Sequence, residues 1–562
     1  VSVVVGATLI SRPFQSLAVL ILLVAAGLIL NGVSELLDRS ANDPRPTTAI
    51  GIGWIGLGLI VLLWPGVNLR LLAIVVGIAL IAGGVTRVLA GLRGDADERF
   101  AAILLGAAGV ILGLTALFWP DVTLLIVAVV FGAQLIFFGI ARLSSLFRQP
   151  DSAPGNKPAR PSGPFGRFVR TTGAALALLV ALGLALVSLR LNGGAPVVDA
   201  FYSPPAQLPA EPGVLLRSEP MDRALPAGAQ AWRILYTTTR SDGSPALASG
   251  LVVAPQNLPA GPRPVIAWAH GTTGVSETCA PSVLADPFTS GAAPALDQVI
   301  ANGWILVGTD YIGLGTQGPH GYLVGAEGGR AVLDAVRAAR QLTEVPLADT
   351  TVVWGHSQGG GVALWTGILA PEYAPDVPLA GVAALAPASE LPSMIGNLDV
   401  MPGGPVFAAY VIQGYSDTYA DVNFADYVRP TAHVQVREIA SRCLAEPSIF
   451  VSIVETLVFD RSIWSRDPTT GPFGERLREN VPTGPMPAPL LLAQGLADPL
   501  VLPAAQEAYA AARCAMGGQV DYRTYAGRGH VEVIAPDSPL IPELIAWTQA
   551  RFDGQPAGST CE

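Results

Sequence analysis

The residues best placed to do chemistry are Gly355-His356-Ser357-Gln358-Gly359, a G-x-S-x-G run. The apolar stretch Thr351–Trp354 leads into it, and a helical pattern over Gly359–Leu369 leaves it. A serine on a sharp strand-to-helix turn stands clear of the sheet, and flanking glycines let strand and helix pack close. Serine is a weak nucleophile until a base takes its proton, so a histidine must serve it. The chain has five. His356 sits inside the turn, His270 before a Gly-Thr-Thr-Gly loop, His320 in a Gly/Pro loop and His433 in an irregular stretch. His530 remains, in a loop after the strand-like Val520–Tyr525. Asp498, at the carboxyl end of the apolar run beginning at Leu491, is the candidate to orient it; Asp521 and Asp537 compete. The order Ser…Asp…His is one in which such a set occurs along a chain when the serine sits on a strand-to-helix turn. An oxyanion needs preorganised N–H donors. Gln358 supplies one, and Thr272 or Thr273, with Thr273 preferred, the other.

The elements that must position these residues follow from periodicity. Ala231–Thr239 and Ala246–Ala254 read as a strand pair across the turn Ser241–Ser244. Buried strands are expected at Pro264–Ala269, Trp304–Gly308, Thr351–Trp354, Ala380–Leu385 and Pro489–Ala493, with helices such as Gly328–Leu342 between them. Such alternation means a mostly parallel sheet covered on both faces. Between Pro387 and Pro485 the rhythm lapses into irregular and helical stretches, which suits a cap insertion at about 391–484.

Several motifs then form a set. They are Trp268–Gly274 with Cys279-Ala-Pro-Ser282, Asp310-Tyr-Ile-Gly-Leu-Gly315, Gly329–Ala338, and Gly355–Gly360 with Pro371–Pro375. Together they resemble the secretory lipase family of the fungal lipase A type, over roughly residues 205–562. The resemblance implies hydrolysis of triacylglycerols or other carboxylic esters, no metal or other cofactor, and a helical cap. It leaves Asp310 and Asp334 with structural roles. It also supports two disulfides. Four cysteines allow three pairings, so spacing does not decide. We expect Cys279–Cys443, tying the cap base to the rim of the site, and Cys514–Cys561, pinning a Gly/Pro/Ser tail.

The first third is different. Residues 1–192 hold 14 Lys/Arg against 8 Asp/Glu, and residues 193–562 hold 19 against 35. Neither part has a basic stripe with interleaved aromatics, which argues against nucleic acid as a partner. Apolar runs at 16–37, 49–64, 70–91, 101–118, 122–145 and 169–190 are near the length of membrane-spanning helices. Pro13, Pro65 and Pro120 each have a glycine seven residues before (Gly6, Gly58, Gly113) and nineteen after (Gly32, Gly84, Gly139). That repeat reads as three helical hairpins with proline at the turn. Its first copy lacks most of a leading helix, so the numbered sequence is expected to be N-terminally truncated. The repeat resembles the HdeD-like family of short-repeat membrane proteins, which implies a link to acid stress and no assigned catalytic site.

The expected organisation is multi-domain: a membrane bundle of hairpin repeats (1–147), a cytoplasmic linker (148–168), a transmembrane helix (169–190), a Pro-rich tether (191–230) and an α/β-hydrolase domain (231–562). Basic residues such as Arg39, Arg45, Arg93, Arg99 and Arg148 lie away from the proline turns. The positive-inside rule then places the hydrolase outside the cytoplasm of an integral plasma-membrane protein, where disulfides persist. The leading reading is a membrane-anchored lipase or esterase acting on lipid or small ester substrates, its oligomeric state left open. An acyltransferase or polyester depolymerase would use the same residues. A membrane stress protein with the hydrolase as sensor or scaffold is the reading from another class.

Overall fold

The computed structural model describes residues 197–561 except 259 and 458–461, three long helices nearer the N-terminus, and scattered helical residues beside them. The chain divides into two compact units. One is Val1–Gly193 with Val428–Glu438 and Phe450–Ile463; the other is Gly194–Tyr427 with Ile439–Ile449 and Trp464–Glu562.

In the first unit α1 (Pro65–Arg93), α2 (Ala96–Phe118) and α3 (Pro164–Asn192) contain three stretches long and apolar enough to cross a membrane: Ile74–Arg93, Arg99–Phe118 and Thr171–Leu191. Glycines of the repeat lie where α1 meets α2. A Cβ on Gly84 would press on the backbone of Gly106 and Val110, and one on Gly113 on the backbone of Gly77 and Ile81. Lipid offers no hydrophobic drive for helices to associate, so close backbone approach supplies the contact. Trp119 Nε1 donates to Ser188 Oγ at 2.7 Å, joining the end of α2 to α3. The proline turns at 13 and 120, most of the runs 16–37, 49–64 and 122–145, and the linker up to 163 lie outside the described residues.

The second unit is built on a nine-stranded sheet, counted among the described residues. Its strands are β1 (Leu215–Met221), β2 (Ala229–Thr239), β3 (Pro245–Pro255), β4 (Arg263–Ala269), β5 (Ile305–Ile312), β6 (Leu347–His356), β7 (Leu379–Leu385), β8 (Leu490–Gly495) and β9 (Val520–Tyr525). Their spatial order is β1-β2-β3-β5-β4-β6-β7-β8-β9. The first three strands and β5 pair antiparallel; from β5 through β4 to β9 every pairing is parallel. Alternation along β6 sends Val353 into one apolar core and Val352 and Trp354 into the core on the opposite face. Both faces are covered, so the strand reads as an unbroken apolar run rather than an alternating one. This is an α/β-hydrolase fold.

Helices α4 (Gly325–Ala339) and α5 (Gln358–Tyr373) flank β6 in sequence, and between β7 and β8 the chain makes the helical insertion. Its longest helix is α6 (Gly404–Thr418); others are Leu391–Asn397, Ile449–Leu457 and Gly471–Glu479. After β8 come α7 (Pro503–Ala515) and, beyond β9, α8 (Leu540–Phe552).

One expectation needs correcting. The stretch 191–230 is not all tether: Phe201 and Tyr202 are buried, and β1 pairs with β2 along Leu215–Met221. Its prolines masked a short edge strand, where a residue lacking an N–H is tolerated.

Cys279 is bonded to Cys443, and Cys514 to Cys561. The second bridge holds a tail that lies along β9, with Thr560 N donating to Val520 O at 2.7 Å. Replacing Cys514 and Cys561 together by serine is expected to lower stability by about 2–4 kcal/mol, read as a lower urea midpoint for ester turnover. Non-reducing peptide mapping of the wild-type chain should recover both linked peptide pairs and no Cys279–Cys514 peptide.

Candidate functional site

Ser357 stands between β6 and α5 with φ 56°, a left-handed conformation that side chains rarely adopt. The glycines around it are a steric requirement. A Cβ on Gly355 would collide with the Gly359 carbonyl, and one on Gly359 with the Ala269 carbonyl at the end of β4. Ser357 N donates to Leu385 O at 3.0 Å, and its carbonyl accepts from Ala388 N at 2.9 Å, so β7 fixes the same turn.

From this serine a hydrogen-bonded chain runs through two distant loops. Ser357 Oγ lies 2.8 Å from His530 Nε2, and His530 Nδ1 lies 2.7 Å from Asp498 Oδ2. A carboxylate on Nδ1 makes that nitrogen the donor and leaves Nε2 bare to accept from the serine hydroxyl. Asp498 is buried in the loop after β8. Its Oδ1 accepts from the N–H groups of Leu500 (2.8 Å) and Val501 (2.9 Å), and Oδ2 also accepts from Gln494 Nε2 (3.1 Å). Burial works against its charge, but the His530 contact and the two backbone donors outweigh it and hold the carboxyl below its usual range. The competing carboxylates are engaged elsewhere: Asp521 pairs with Arg523 at 2.6 Å and Asp537 with Arg528 at 3.0 Å.

The other histidines are held by backbone carbonyls. His356 Nε2 donates to His530 O at 2.9 Å, tying the turn directly to the backbone of the His530 loop. His270 contacts Gly271 O and Asp310 O, His320 Nδ1 lies 2.9 Å from Ile312 O, and His433 Nε2 lies 3.0 Å from Val428 O. Burial pushes His270 and His320 down to about 4 and His356 to about 3. Asp310 is enclosed by Ser249 Oγ, Ser282 Oγ and Ser282 N, and Asp334 by Thr238, Tyr373 and Arg337.

The loop after β4 carries the two threonines. Thr272 Oγ1 lies 2.8 Å from Tyr322 OH, while Thr273 is fully buried and its carbonyl accepts from Leu444 N at 2.7 Å. The Cys279–Cys443 bridge closes beside them, since a Cβ on Gly274 would meet Cys279 Sγ at 2.5 Å. Gln358 is the first residue of α5, so its N–H has no acceptor within the helix. Sequence reasoning missed Gln494, which supports Asp498, and gave His356 and His320 no role. Nothing in local spacing shows that a glutamine four residues before an aspartate will turn back onto it.

A family model for secretory lipases matches residues 292–560. That segment is a secretory lipase domain. A model for a short repeat of unknown function matches 1–47, 49–114 and 104–158, the region of the hairpin repeat. The chain is 27% identical over 390 residues to a probable inactive lipase of Mycobacterium tuberculosis, covering 64% of this chain and 83% of that protein. It is 26% identical over 390 residues to a secreted triacylglycerol lipase of Malassezia globosa, covering 65% and 81%. Among solved structures, Candida antarctica lipase A superposes with a TM-score of 0.56 at 19% identity, covering 65% of this chain and 87% of that one. The rice-cell-wall-degrading esterase LipA of Xanthomonas oryzae gives 0.51 at 21% identity, covering 61% and 99%. The two superpositions show the shared fold. With the family match and the lipase relatives, the chain is a carboxylic ester hydrolase.

The burial of His356 has a measurable consequence. Its ordinary value is 6.5 and its folded value about 3. As pH falls below 6.5 the unfolded chain therefore takes up a proton that the folded chain refuses. Stability present above pH 6.5 is lost as pH falls toward 3. The loss amounts to about 2 kcal/mol by pH 5. His356→Leu should remove that part of the pH dependence, seen as urea midpoints that fall less between pH 6.5 and 5 than those of the wild type.

Proposed function

We propose that the secretory lipase domain hydrolyses carboxylic esters of lipids through an acyl-enzyme on Ser357, with His530 as base and Asp498 as its orienting carboxylate. The observation that carries this reading is the unbroken Ser357–His530–Asp498 hydrogen-bonded chain. Ser357 Oγ attacks the ester carbonyl carbon as its proton passes to His530 Nε2. The tetrahedral oxyanion receives the N–H of Gln358 and one from the Thr272–Thr273 loop. His530 then gives the proton to the leaving alcohol, the C–O bond breaks, and a water activated by the same imidazole releases the acid. Asp498 stays ionised throughout and keeps Nδ1 protonated.

Acylglycerols are the substrate class favoured by kinship with secreted triacylglycerol lipases. One relative is a probable inactive lipase, so activity has to be read from the site itself. Here the histidine lies within hydrogen-bond distance of both the serine and the carboxylate, one on each ring nitrogen.

We also propose that the apolar helices anchor the enzyme in the plasma membrane with the hydrolase on the outer side. The two disulfides and the basic residues flanking the apolar runs support that placement.

Ser357→Ala in the full chain should lower p-nitrophenyl ester turnover by at least ~10³-fold with the fold retained. His530→Ala should cost a similar factor, and the double variant no more than either alone, because the two act as one unit. Full activity in a folded Ser357→Ala protein would refute the assignment.

Protease added to intact cells should release an active fragment beginning between about residues 193 and 199, ahead of the buried Phe201 and Tyr202. Cleavage seen only after lysis would mean that the proposed orientation is wrong.

A further inference from the structure

Between β5 and α4 the chain passes through Gly313–Val324, a loop whose residues touch both sides of the proposed oxyanion site. His320 Nδ1 lies 2.9 Å from the Ile312 carbonyl, an acceptor only, so Nδ1 carries the proton. His320 Nε2 is then a bare acceptor, 3.2 Å from Gln358 Nε2, and the amide must present its N–H₂ to it. Two residues on, Tyr322 OH lies 2.8 Å from Thr272 Oγ1. Both side chains are buried. One tripeptide thus holds the residue after the nucleophile and a residue of the loop after β4.

The tripeptide is itself braced. Leu323 has φ 60°, a conformation that a branched side chain adopts only when its surroundings impose it. α6 of the insertion lies against it: the Tyr410 ring meets Tyr322 edge-on at 6.1 Å, and Tyr415 OH donates to Leu323 O at 3.4 Å. A Cβ on Gly414 would come within 2.8 Å of Tyr322 Cβ. On the other side Tyr311, also at positive φ, stacks on His320 at 5.9 Å and donates from its hydroxyl to the His270 carbonyl at 3.0 Å.

We propose that His320 and Tyr322 are positioning residues for the oxyanion hole, holding Gln358 and Thr272 so that the backbone N–H groups there point at the developing oxyanion. This rests on the serine-hydrolase reading above. The Gln358 side chain is the lever. Its Oε1 is buried without a hydrogen-bond partner among the described residues, so its Nε2 contact with His320 is what anchors it. Letting that anchor go allows the start of α5 to shift, and donors displaced by a fraction of an ångström lose much of their value in the transition state.

The test uses the full chain in detergent. His320→Leu should lower kcat by about 10–100-fold with KM within about threefold, and Tyr322→Phe, which removes one oxygen, by about 3–10-fold. A trifluoromethyl ketone, which forms a tetrahedral adduct on the serine, should lose affinity in step with kcat/KM. His320→Gln, whose amide oxygen can still accept from Gln358, should recover much of the loss. The decisive arm is a double-mutant cycle. Gln358→Ala keeps the backbone N–H, and adding His320→Leu to it should cost little more, because His320 acts through that side chain. Effects that multiply in the cycle, or variants that raise KM while sparing both kcat and ketone affinity, would overturn the proposal. If His320→Leu does not fold, an unchanged kcat in Tyr322→Phe overturns the Tyr322 half, and a Gln358→Ala variant with wild-type kcat overturns the His320 half. Fluorophosphonate labelling of wild-type Ser357 separates the two readings. No labelling sinks the serine-hydrolase assignment itself, whereas labelling with unaffected variants sinks only the positioning role.

Discussion

The second unit depends on a left-handed serine held where a strand turns into a helix. A residue at φ 56° costs of order 1–3 kcal/mol and persists only if its surroundings leave no alternative. Here Ser357 is bonded through its N–H to β7 and through its carbonyl to Ala388 and Gly361. Gly359 lies against the Ala269 carbonyl at a distance that no side chain permits. β4, β6, β7 and α5 are therefore locked together at one point. The loops leaving the carboxyl ends of β4, β6 and β8 bring Thr272, Ser357 and Asp498 to the same end of the sheet, where ligands bind in open α/β sheets.

Environment divides the ionisable groups into those kept neutral and those kept charged. His270, His320 and His356 are buried, and desolvation outweighs the carbonyl contacts that would favour the charged form, so at neutral pH they are uncharged parts of the scaffold. Asp498 is buried too, yet four donors meet its two oxygens, and solvation lost to burial is replaced by fixed dipoles. The result is a carboxylate with a defined direction facing an imidazole with a defined tautomer. That is the condition for His530 to act on a serine proton rather than simply pair with a charge.

The membrane-type helices obey the same steric rule for a different reason. Gly84 and Gly113 recur at fixed offsets from the prolines and sit where α1 and α2 come into backbone contact. In a sheet-and-helix domain glycine makes room for a turn that serves a site. Between apolar helices it makes room for the dispersion contacts that replace hydrophobic burial as the source of association. The short-repeat match covers this region, whereas Ser357, Asp498 and His530 lie in the segment matched to secretory lipases.

Much of this was legible in the chain alone. The G-x-S-x-G turn, the apolar spans and the β/α alternation are local patterns, each written in a few consecutive residues and read by period. The parallel sheet and the helical insertion between Leu385 and Leu490 followed from them. The prolines of 191–230 concealed β1, because an edge strand is stabilised by pairing with its neighbour, here β2, rather than by its own composition. Spacing also left Asp521 and Asp537 open beside Asp498, and it left three cysteine pairings open. Tertiary structure decided these, bringing Asp498 and not the other two to His530 and pairing Cys279 with Cys443 across 164 positions. It also decided what His356, His320 and Gln494 touch. A side chain's hydrogen-bond partner depends on which loops meet in space, and no periodicity along the chain encodes that meeting.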